Sequence, residues 1–159
     1  MGIAQWTVRP VEHSDWPAWC SLFQGYAEFY ERPPLSDDHL RRVWSWIHDE
    51  GRMWALVAVP VDGGPAIGLA HLREWIRPLR GIVCGYLDDL FVDRSVRGGG
   101  AVGALFAAID SLAHERKWEV VRWTTADDNY RARAVYDQLA ARTTWITYDM
   151  TPRPKEPAS

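Results

Sequence analysis

The stretch FVDRSVRGGGAVGALF, residues 91–106, places four glycines within six positions, between an apolar strand-like run and a helix-like run. Glycine is used this densely where the backbone must adopt a positive φ or approach another group closely. A strand-to-helix turn needs one such residue, so three consecutive glycines at 98–100 favour a bound anion. Backbone N–H groups at a helix N-terminus attract anions, and Arg97 adds a full positive charge beside them.

Two known nucleotide-binding motifs could also explain these glycines. A P-loop requires Gly-Lys-Ser/Thr, whereas Gly103 is followed by Ala104 and Leu105. Gly98, Gly100 and Gly103 do match the G-x-G-x-x-G pattern of dinucleotide-binding folds. That fold starts with its glycine loop, however, and only about 55 residues follow Gly103. The late position therefore argues against a nicotinamide-dependent enzyme.

The spacing of apolar residues predicts ten secondary-structure elements. Strands are predicted at residues 6–10, 53–60, 66–75, 83–92, 119–125 and 145–150. Helices are predicted from Ser14 or Asp15 to the RPP at 32–34, from Ser36 onward, over 99–117 and over 129–141. Three consecutive strands imply antiparallel hairpins, and the later β-α-β implies a parallel pair. The order β-α-α-β-β-β-α-β-α-β predicts an α/β (α+β) fold, with a mixed, mostly antiparallel central sheet and helices on both faces.

Composition limits the functional classes. The 159 residues predict one domain over 1–150 and a flexible Pro-rich tail over 151–159. A net charge of −3 argues against a nucleic-acid partner, and no apolar run is long enough for a membrane span. The two cysteines form no CxxC or His/Cys cluster, which favours free thiols in a reducing, cytoplasmic compartment. None of the five histidines has zinc-ligand spacing, so no metal is expected.

Two segments resemble the GNAT superfamily of N-acetyltransferases. YLDDLFVDRSVRGGGAVGAL (86–105) is similar to its central motif, an acidic strand end followed by R-G-x-G-x-G/A opening a long helix. TTADDNYRARAVYDQL (124–139) is similar to its next segment, in which a Tyr follows an Asn by seven positions. YLDDLFV and YAEFYE (26–31) most resemble the diamine and thialysine acetyltransferase branch. The resemblance implies acetyl-coenzyme A as donor, a primary amine of a small molecule as acceptor, and a homodimer as a common assembly.

The resemblance also implies a coenzyme site built from a strand end, the glycine loop and a later helix. Backbone groups of Leu90, Phe91 and Val92 would hold the pantetheine arm. The pyrophosphate would bind Arg97, Gly98, Gly99, Gly100, Ala101, Val102 and Gly103. Asn129, Arg131 and Arg133 would lie near the coenzyme, and Tyr136 would protonate the departing thiolate.

One residue departs from the family pattern. Val102 stands where R-G-x-G-x-G has its last glycine, counted from Arg97, and Gly103 follows one position late. The backbone N–H of residue 102 remains a donor, while its side chain must point into the helix packing.

Asp88 and Asp89 are the candidate catalytic and acceptor-binding carboxylates. Amide formation needs a neutral amine, and a carboxylate can take the proton from an ammonium. In a regular strand, Asp88 would share a face with Tyr86, Leu90 and Val92, and Asp89 would share the other with Leu87 and Phe91. A bulge would shift this alternation. Two alternatives stay open: a cap on a nearby N–H, and a salt bridge to Arg94 or Arg122.

Glu28 and Tyr30 are the candidate acceptor-site residues outside that strand. Glu28 belongs to an acidic group with Glu31, Asp37 and Asp38 at the junction of the first two helices, which would suit a cationic amine. Asp37 and Asp38 also suit the N-terminal turn of a helix capped by Ser36. The rival to an enzyme is a non-catalytic acyl-coenzyme A-binding or sensing module, against which the retention of Asp88 and Tyr136 argues.

Overall fold

A computed structural model describes residues 5–152, in two compact units that meet in sequence at Thr124 and Thr125. The first unit contains β1 (Trp6–Pro10), α1 (Trp16–Phe29), α2 (Asp37–His48), β2 (Trp54–Pro60), β3 (Gly68–Arg77), β4 (Ile82–Val92), α3 (Ala101–Arg116) and β5 (Val121–Arg122). The second unit contains α4 (Tyr130–Leu139). Residues 153–159 of the predicted tail lie outside the described residues.

The five strands form one mixed sheet in the order β1-β2-β3-β4-β5. The pairs from β1 to β4 are antiparallel, and β4 pairs with β5 in parallel. This arrangement follows from the connections, because short turns join β2, β3 and β4, whereas α3 carries the chain from β4 to β5. The predicted mixed, mostly antiparallel sheet is confirmed.

Helices cover both faces of the sheet. On one face, α1 and α2 bury a cluster against β2, β3 and β4 that includes Trp19, Leu22, Phe23, Leu40, Val43, Val57, Leu69 and Phe91. On the other face, α3 buries a cluster that includes Leu56, Ala70, Leu72, Leu87, Val92, Leu105 and Ile109. Each fully buried Leu or Ile contributes about 2 kcal/mol of transfer free energy, so the two clusters fix the helices to the sheet.

A β-bulge interrupts β4 in the middle of the sheet. His71 pairs with Asp89, but the next residue, Leu72, pairs with Leu87, so Asp88 is the extra residue on β4. The bulge explains why Leu87 and Leu90, three positions apart, both pack into the α3 cluster. A regular strand would place them on opposite faces. The alternation expected from the sequence is therefore wrong for Leu87, and the bulge that could shift it is present.

Two expectations about the C-terminal half are wrong. The strand expected at 119–125 is reduced to Val121–Arg122. The strand expected at 145–150 is absent, because no strand ladder includes any described residue after Arg122. Trp145, Ile146, Tyr148 and Met150 are between 76% and 87% exposed. The β propensity of these residues measures how well their side chains fit a half-buried sheet surface. Without burial and hydrogen bonds to a neighbouring strand, residues of high β propensity do not form a strand.

The helix expected at 129–141 is α4, slightly shorter than predicted. Its expected inward face is less buried than the pattern indicates, since Val135 and Leu139 are 39% and 48% exposed. The spacing of apolar residues gives a helix its apolar stripe, but it does not specify what covers that stripe.

The junction of β4 and β5 depends on a glycine. A Cβ built on Gly85 would lie 2.4 Å from the ring of Trp118, well inside contact distance. Trp118 is 6% exposed, and its indole N–H donates to Glu74 Oε1 at 3.0 Å. The ring is thus held from two sides, and the β4 backbone can pass it only without a side chain.

We expect Gly85→Ala to lower the free energy of unfolding by about 2 kcal/mol, because Trp118 must move out of its packed position. Gly103→Ala is the matched control, since no atom lies within 4 Å of a Cβ there and alanine favours a helix by up to about 1 kcal/mol. Urea unfolding followed by tryptophan fluorescence measures both. Equal stabilities of the two variants would contradict the packing argument.

Candidate functional site

The C-terminal half of β4 has an unpaired edge. Pairing with β5 ends at Tyr86, whereas β4 continues to Val92, so within residues 5–152 no strand pairs with that edge beyond Tyr86. Asp93 N–H donates to the Ile67 carbonyl at 2.8 Å, towards β3. By the alternation of an antiparallel ladder, the backbone groups of Leu90 and Val92 then point to the unpaired edge. Arg97 Nε donates to the Val92 carbonyl at 3.4 Å.

The glycine loop connects this edge to α3. Gly98 and Gly100 have φ values of +86° and +84°, a backbone conformation that glycine adopts without strain. The Gly99 carbonyl accepts a hydrogen bond from the Trp6 indole at 2.5 Å, which ties the loop to β1. The Arg97 guanidinium lies over the rings of Phe29 and Phe91, 5.7 and 5.9 Å from their centroids.

The side chain of Val102 points into the helix packing, as the sequence predicts. It packs against the α3 cluster, while Gly103 is exposed. The first bond of the helix runs from Ala104 N–H to the Gly100 carbonyl at 3.0 Å. The N–H groups of Ala101, Val102 and Gly103 precede that bond and have no acceptor within the helix. Valine at this position is therefore compatible with backbone donation, because its side chain and its N–H point in different directions.

These features fit the phosphates and the pantetheine arm of a coenzyme A thioester. The leading N–H groups of α3, the helix dipole and Arg97 together suit a doubly charged pyrophosphate. The backbone groups at the unpaired edge of β4 suit an amide-bearing arm that adds hydrogen bonds as a strand would.

The carboxyl of Asp88 is the first of two acidic groups on the bulge. Arg73 Nε lies 3.0 Å from Asp88 Oδ2, and the Asp88 side chain is 31% exposed. The partner is therefore Arg73, and neither Arg94 nor Arg122 takes the role considered from the sequence. Burial raises the pKa of Asp88 above 3.8, and the charge of Arg73 opposes this shift without cancelling it.

The carboxyl of Asp89 belongs to a buried hydrogen-bonded chain. Asp89 Oδ2 lies 2.8 Å from His71 Nδ1, and the Trp19 indole N–H donates to His71 Nε2 at 2.9 Å. Trp19 and His71 are fully buried, whereas the Asp89 side chain is 23% exposed. His71 and Arg73 are two residues apart on β3, so their side chains lie on the same face of the sheet. Because each contacts one of the two carboxyls, the bulge turns both Asp88 and Asp89 to the face covered by α1 and α2.

Tyr26 is a site residue that sequence reasoning missed. Its position, seven residues after Trp19 and three after Phe23, continues the apolar face of α1. Its hydroxyl nevertheless interacts with the Asp89 carboxylate and with Tyr30, and burial together with these groups raises its pKa. Its ring lies edge-on to Tyr30, 5.1 Å between centroids. The sequence signal that could have indicated this role is the hydroxyl itself, because a tyrosine on the apolar face of a helix needs a hydrogen-bond partner for its O–H. Glu28 is exposed on α1, and Tyr30 is 39% exposed.

The remaining candidates lie in the second unit, on or before α4. The Asn129 side chain caps the helix by accepting from Ala132 N–H at 3.3 Å. Arg133 donates to the Asp127 carbonyl and lies over the ring of Tyr130. Arg131 is exposed and Tyr136 is half-buried. Asn129 thus has a structural role of its own, beside the coenzyme contact that the resemblance implies.

The described residues contain no metal site of the usual kind. Across residues 5–152, no three His, Cys, Asp or Glu side chains are grouped so that they could hold a metal ion. Within the same range, no helix has the length and apolar character required to cross a membrane.

Comparison with known proteins identifies the family. The model of the Acetyltransferase (GNAT) family matches residues 16–140, and the chain belongs to that family. The D-amino-acid N-acetyltransferase of Saccharomyces cerevisiae is 27% identical over 141 residues, which cover 89% of this chain and 88% of the yeast protein. The chain is therefore an acetyltransferase, as predicted.

Solved structures share the fold. A probable acetyltransferase superimposes with a TM-score of 0.82 at 18% identity, over 94% of this chain and 99% of the other. The ribosomal-protein-alanine N-acetyltransferase of Brucella melitensis biovar Abortus gives 0.75 at 24% identity, over 93% and 99% of the two chains. An aminoglycoside acetyltransferase from a soil metagenome, in complex with sisomicin, gives 0.76 at 15% identity, over 93% and 97%.

We expect Asp88 to titrate above 3.8, because burial is the largest influence on its pKa. Arg73→Gln should raise the pKa further, since it removes the positive charge that favours the carboxylate. Titration of the aspartate carboxyl carbons by ¹³C NMR measures both. Arg80→Gln, which removes an arginine paired with Glu119 instead, is the control. A lower pKa in the Arg73 variant would show that Arg73 does not stabilise the charged form.

Proposed function

We propose that the chain transfers an acetyl group from acetyl-coenzyme A directly to a primary amine of a small molecule. The observation that carries the proposal is the pair of partly buried carboxyls on the β4 bulge, beside the strand edge that suits the coenzyme. Neither free cysteine belongs to this pair or to the loop, so transfer needs no acyl-cysteine. The family match spans residues 16–140, which supports a single catalytic domain over residues 1–150.

The coenzyme is assigned to the groups that the resemblance names. Backbone groups of Leu90 and Val92 bind the pantetheine arm, and the loop from residue 97 to residue 103 binds the pyrophosphate. The backbone groups of Phe91, which the resemblance adds to the arm, point to Leu69 of β3 instead. The positive φ values of two loop glycines and the leading N–H groups of α3 support this assignment. Asn129, Arg131 and Arg133 are assigned to the coenzyme by the resemblance alone.

The two carboxyls have different roles in the proposal. Asp89, held by His71, binds the acceptor as an ammonium ion. Asp88 takes the proton that the ammonium must lose, and its raised pKa brings its basicity closer to that task. Acetyl-coenzyme A supplies the acetyl group as a thioester, and the Tyr136 hydroxyl protonates the departing sulfur. A phenol with an ordinary pKa of about 10 carries that proton at neutral pH.

The acceptor belongs to one of three classes of cationic amine. The resemblance of YLDDLFV and YAEFYE to diamine and thialysine acetyltransferases favours diamines and lysine analogues. The yeast relative adds amino acids, and the sisomicin complex of a structural neighbour adds aminoglycosides. Glu28, on α1 just after Tyr26, and Tyr30, the C-cap residue of that helix, are both exposed and extend the acceptor site. We also expect a homodimer, as in the resembled family, and a cytoplasmic location, in keeping with free Cys20 and Cys84.

Release of free thiol from acetyl-coenzyme A, measured over a panel of diamines, D- and L-amino acids and aminoglycosides, tests the proposal. We expect thiol release with at least one amine, and mass spectrometry should show the amine heavier by one acetyl group. Asp88→Asn should lower kcat at least about 100-fold, the usual scale of a general base. Binding of the coenzyme by calorimetry without transfer to any amine would favour a sensing module, and absence of coenzyme binding would overturn both readings.

We expect Tyr136→Phe to lower kcat about 100-fold, because the thiolate loses its proton donor. The Kd of the coenzyme should change less than about twofold, since the ring is retained. Tyr148→Phe is the matched control, at a tyrosine that is 87% exposed in the same unit. Unchanged turnover in the Tyr136 variant would remove it from the mechanism.

A further inference from the structure

The hydrogen-bonded chain from Trp19 to Asp89 links three elements of the fold. Trp19 lies on α1, His71 on β3 and Asp89 on β4, with His71 and Asp89 directly paired in the sheet. Both links are short, 2.9 Å from Trp19 to His71 Nε2 and 2.8 Å from His71 Nδ1 to Asp89. Phe23 closes the imidazole from another side, edge-on at 5.1 Å between centroids.

The direction of this chain follows from the chemistry of the indole. A tryptophan side chain has one polar hydrogen and no polar acceptor, so it must donate to His71 Nε2. Nε2 therefore carries no hydrogen, and the neutral ring carries its hydrogen on Nδ1. That N–H can only donate to Asp89 Oδ2. The tautomer of His71 is thus determined by the residue on its other side.

The consequence for Asp89 is a fixed orientation. A charge-assisted hydrogen bond from a fully buried ring holds one carboxylate oxygen in place. Because His71 donates as a neutral ring, it orients the carboxylate without neutralising its negative charge. Asp88 differs in this respect, since Arg73 places a full positive charge 3.0 Å from it. Asp89 is therefore the carboxylate whose charge stays available to a cation.

The position of the chain argues that it does more than fill the core. An apolar residue at position 71 would pack against Trp19 and Phe23 without needing two hydrogen bonds. The hydrogen-bonded chain begins at two fully buried residues, Trp19 and His71, and ends at the Asp89 carboxylate, whose side chain is 23% exposed. A buried polar network that ends at a partly exposed charge orients that charge.

We propose that His71 is a positioning residue for the acceptor amine: held by Trp19 as the Nδ1–H tautomer, it orients the Asp89 carboxylate that binds the acceptor's ammonium group. The inference rests on the proposed N-acetyltransferase function, because it assigns the amine to Asp89. It goes further in naming the residues that set how well the amine binds without touching it.

The tautomer is tested first, by a measurement that needs no activity. In the protein labelled with ¹⁵N-histidine, NMR should show the hydrogen of His71 on Nδ1. In Trp19→Phe, where Nε2 loses its donor, part of the population should carry it on Nε2. Trp44→Phe is the control, because Trp44 packs against Trp19, 5.0 Å between centroids, and changes the same aromatic cluster. An Nε2–H or doubly protonated ring in the unmodified protein would overturn the inference.

The positioning role is tested by kinetics with an amine that the panel identifies. His71→Leu should raise the KM of the amine about tenfold, as expected when a hydrogen bond to a charged group is lost. The Kd of acetyl-coenzyme A should stay within about twofold. His71→Asn, whose amide N–H can reach the place of Nδ1, should restore most of the KM. A purely structural histidine would lower stability in both variants without this difference.

The outcomes distinguish a failure of the positioning role of His71 from a failure of the proposed N-acetyltransferase function. An unchanged KM in folded His71→Leu, or no recovery in folded His71→Asn, would overturn the positioning role. If His71→Leu does not fold, Trp19→Phe takes its place, and it should raise the KM of the amine while Trp44→Phe does not. If the unmodified protein acetylates no amine, the proposed function fails, and with it the role of Asp89, whereas NMR still decides the tautomer.

Discussion

The bulge at Asp88 is the constraint on which the rest of the site depends. Without the extra residue, Leu87 and Leu90 would lie on opposite faces, and one of them would leave the cluster under α3. With it, both leucines stay in that cluster while two consecutive carboxyls turn towards α1 and α2. One inserted residue thus satisfies the apolar core and supplies the acidic groups, which a regular strand cannot do together.

Two adjacent carboxyls are stable on this face because each has its own partner. Arg73 offsets the charge of Asp88, and His71 stabilises Asp89 by a hydrogen bond from a neutral ring. The partners come from the neighbouring strand, two residues apart and therefore on one face. The result is a pair of like groups in different environments, which is the usual physical basis for giving them different roles.

The fold was largely predictable because its signals are local. Alternating and helical spacings, the Ser36 cap and the glycine-rich turns predicted the elements up to α3 close to their observed bounds. The strand expected at 145–150 was not predictable, because a strand exists only through a partner that its own residues do not specify. The same reason explains the short β5, which pairs through two residues.

The sequence by itself determined the glycine loop, the acidic pair and their order along the chain. These are properties of residue type and spacing, and the resemblance to the GNAT superfamily rests on them. The tertiary structure decided which partner each carboxyl has, which face it lies on, and that His71 and Tyr26 contact Asp89. These contacts depend on the register between β3 and β4 and on the position of α1 against the sheet. Both arise from packing between residues that are far apart in the sequence. The bulge at Asp88 changes the face on which each carboxyl lies, and the apolar spacing of β4 does not by itself specify where the bulge falls.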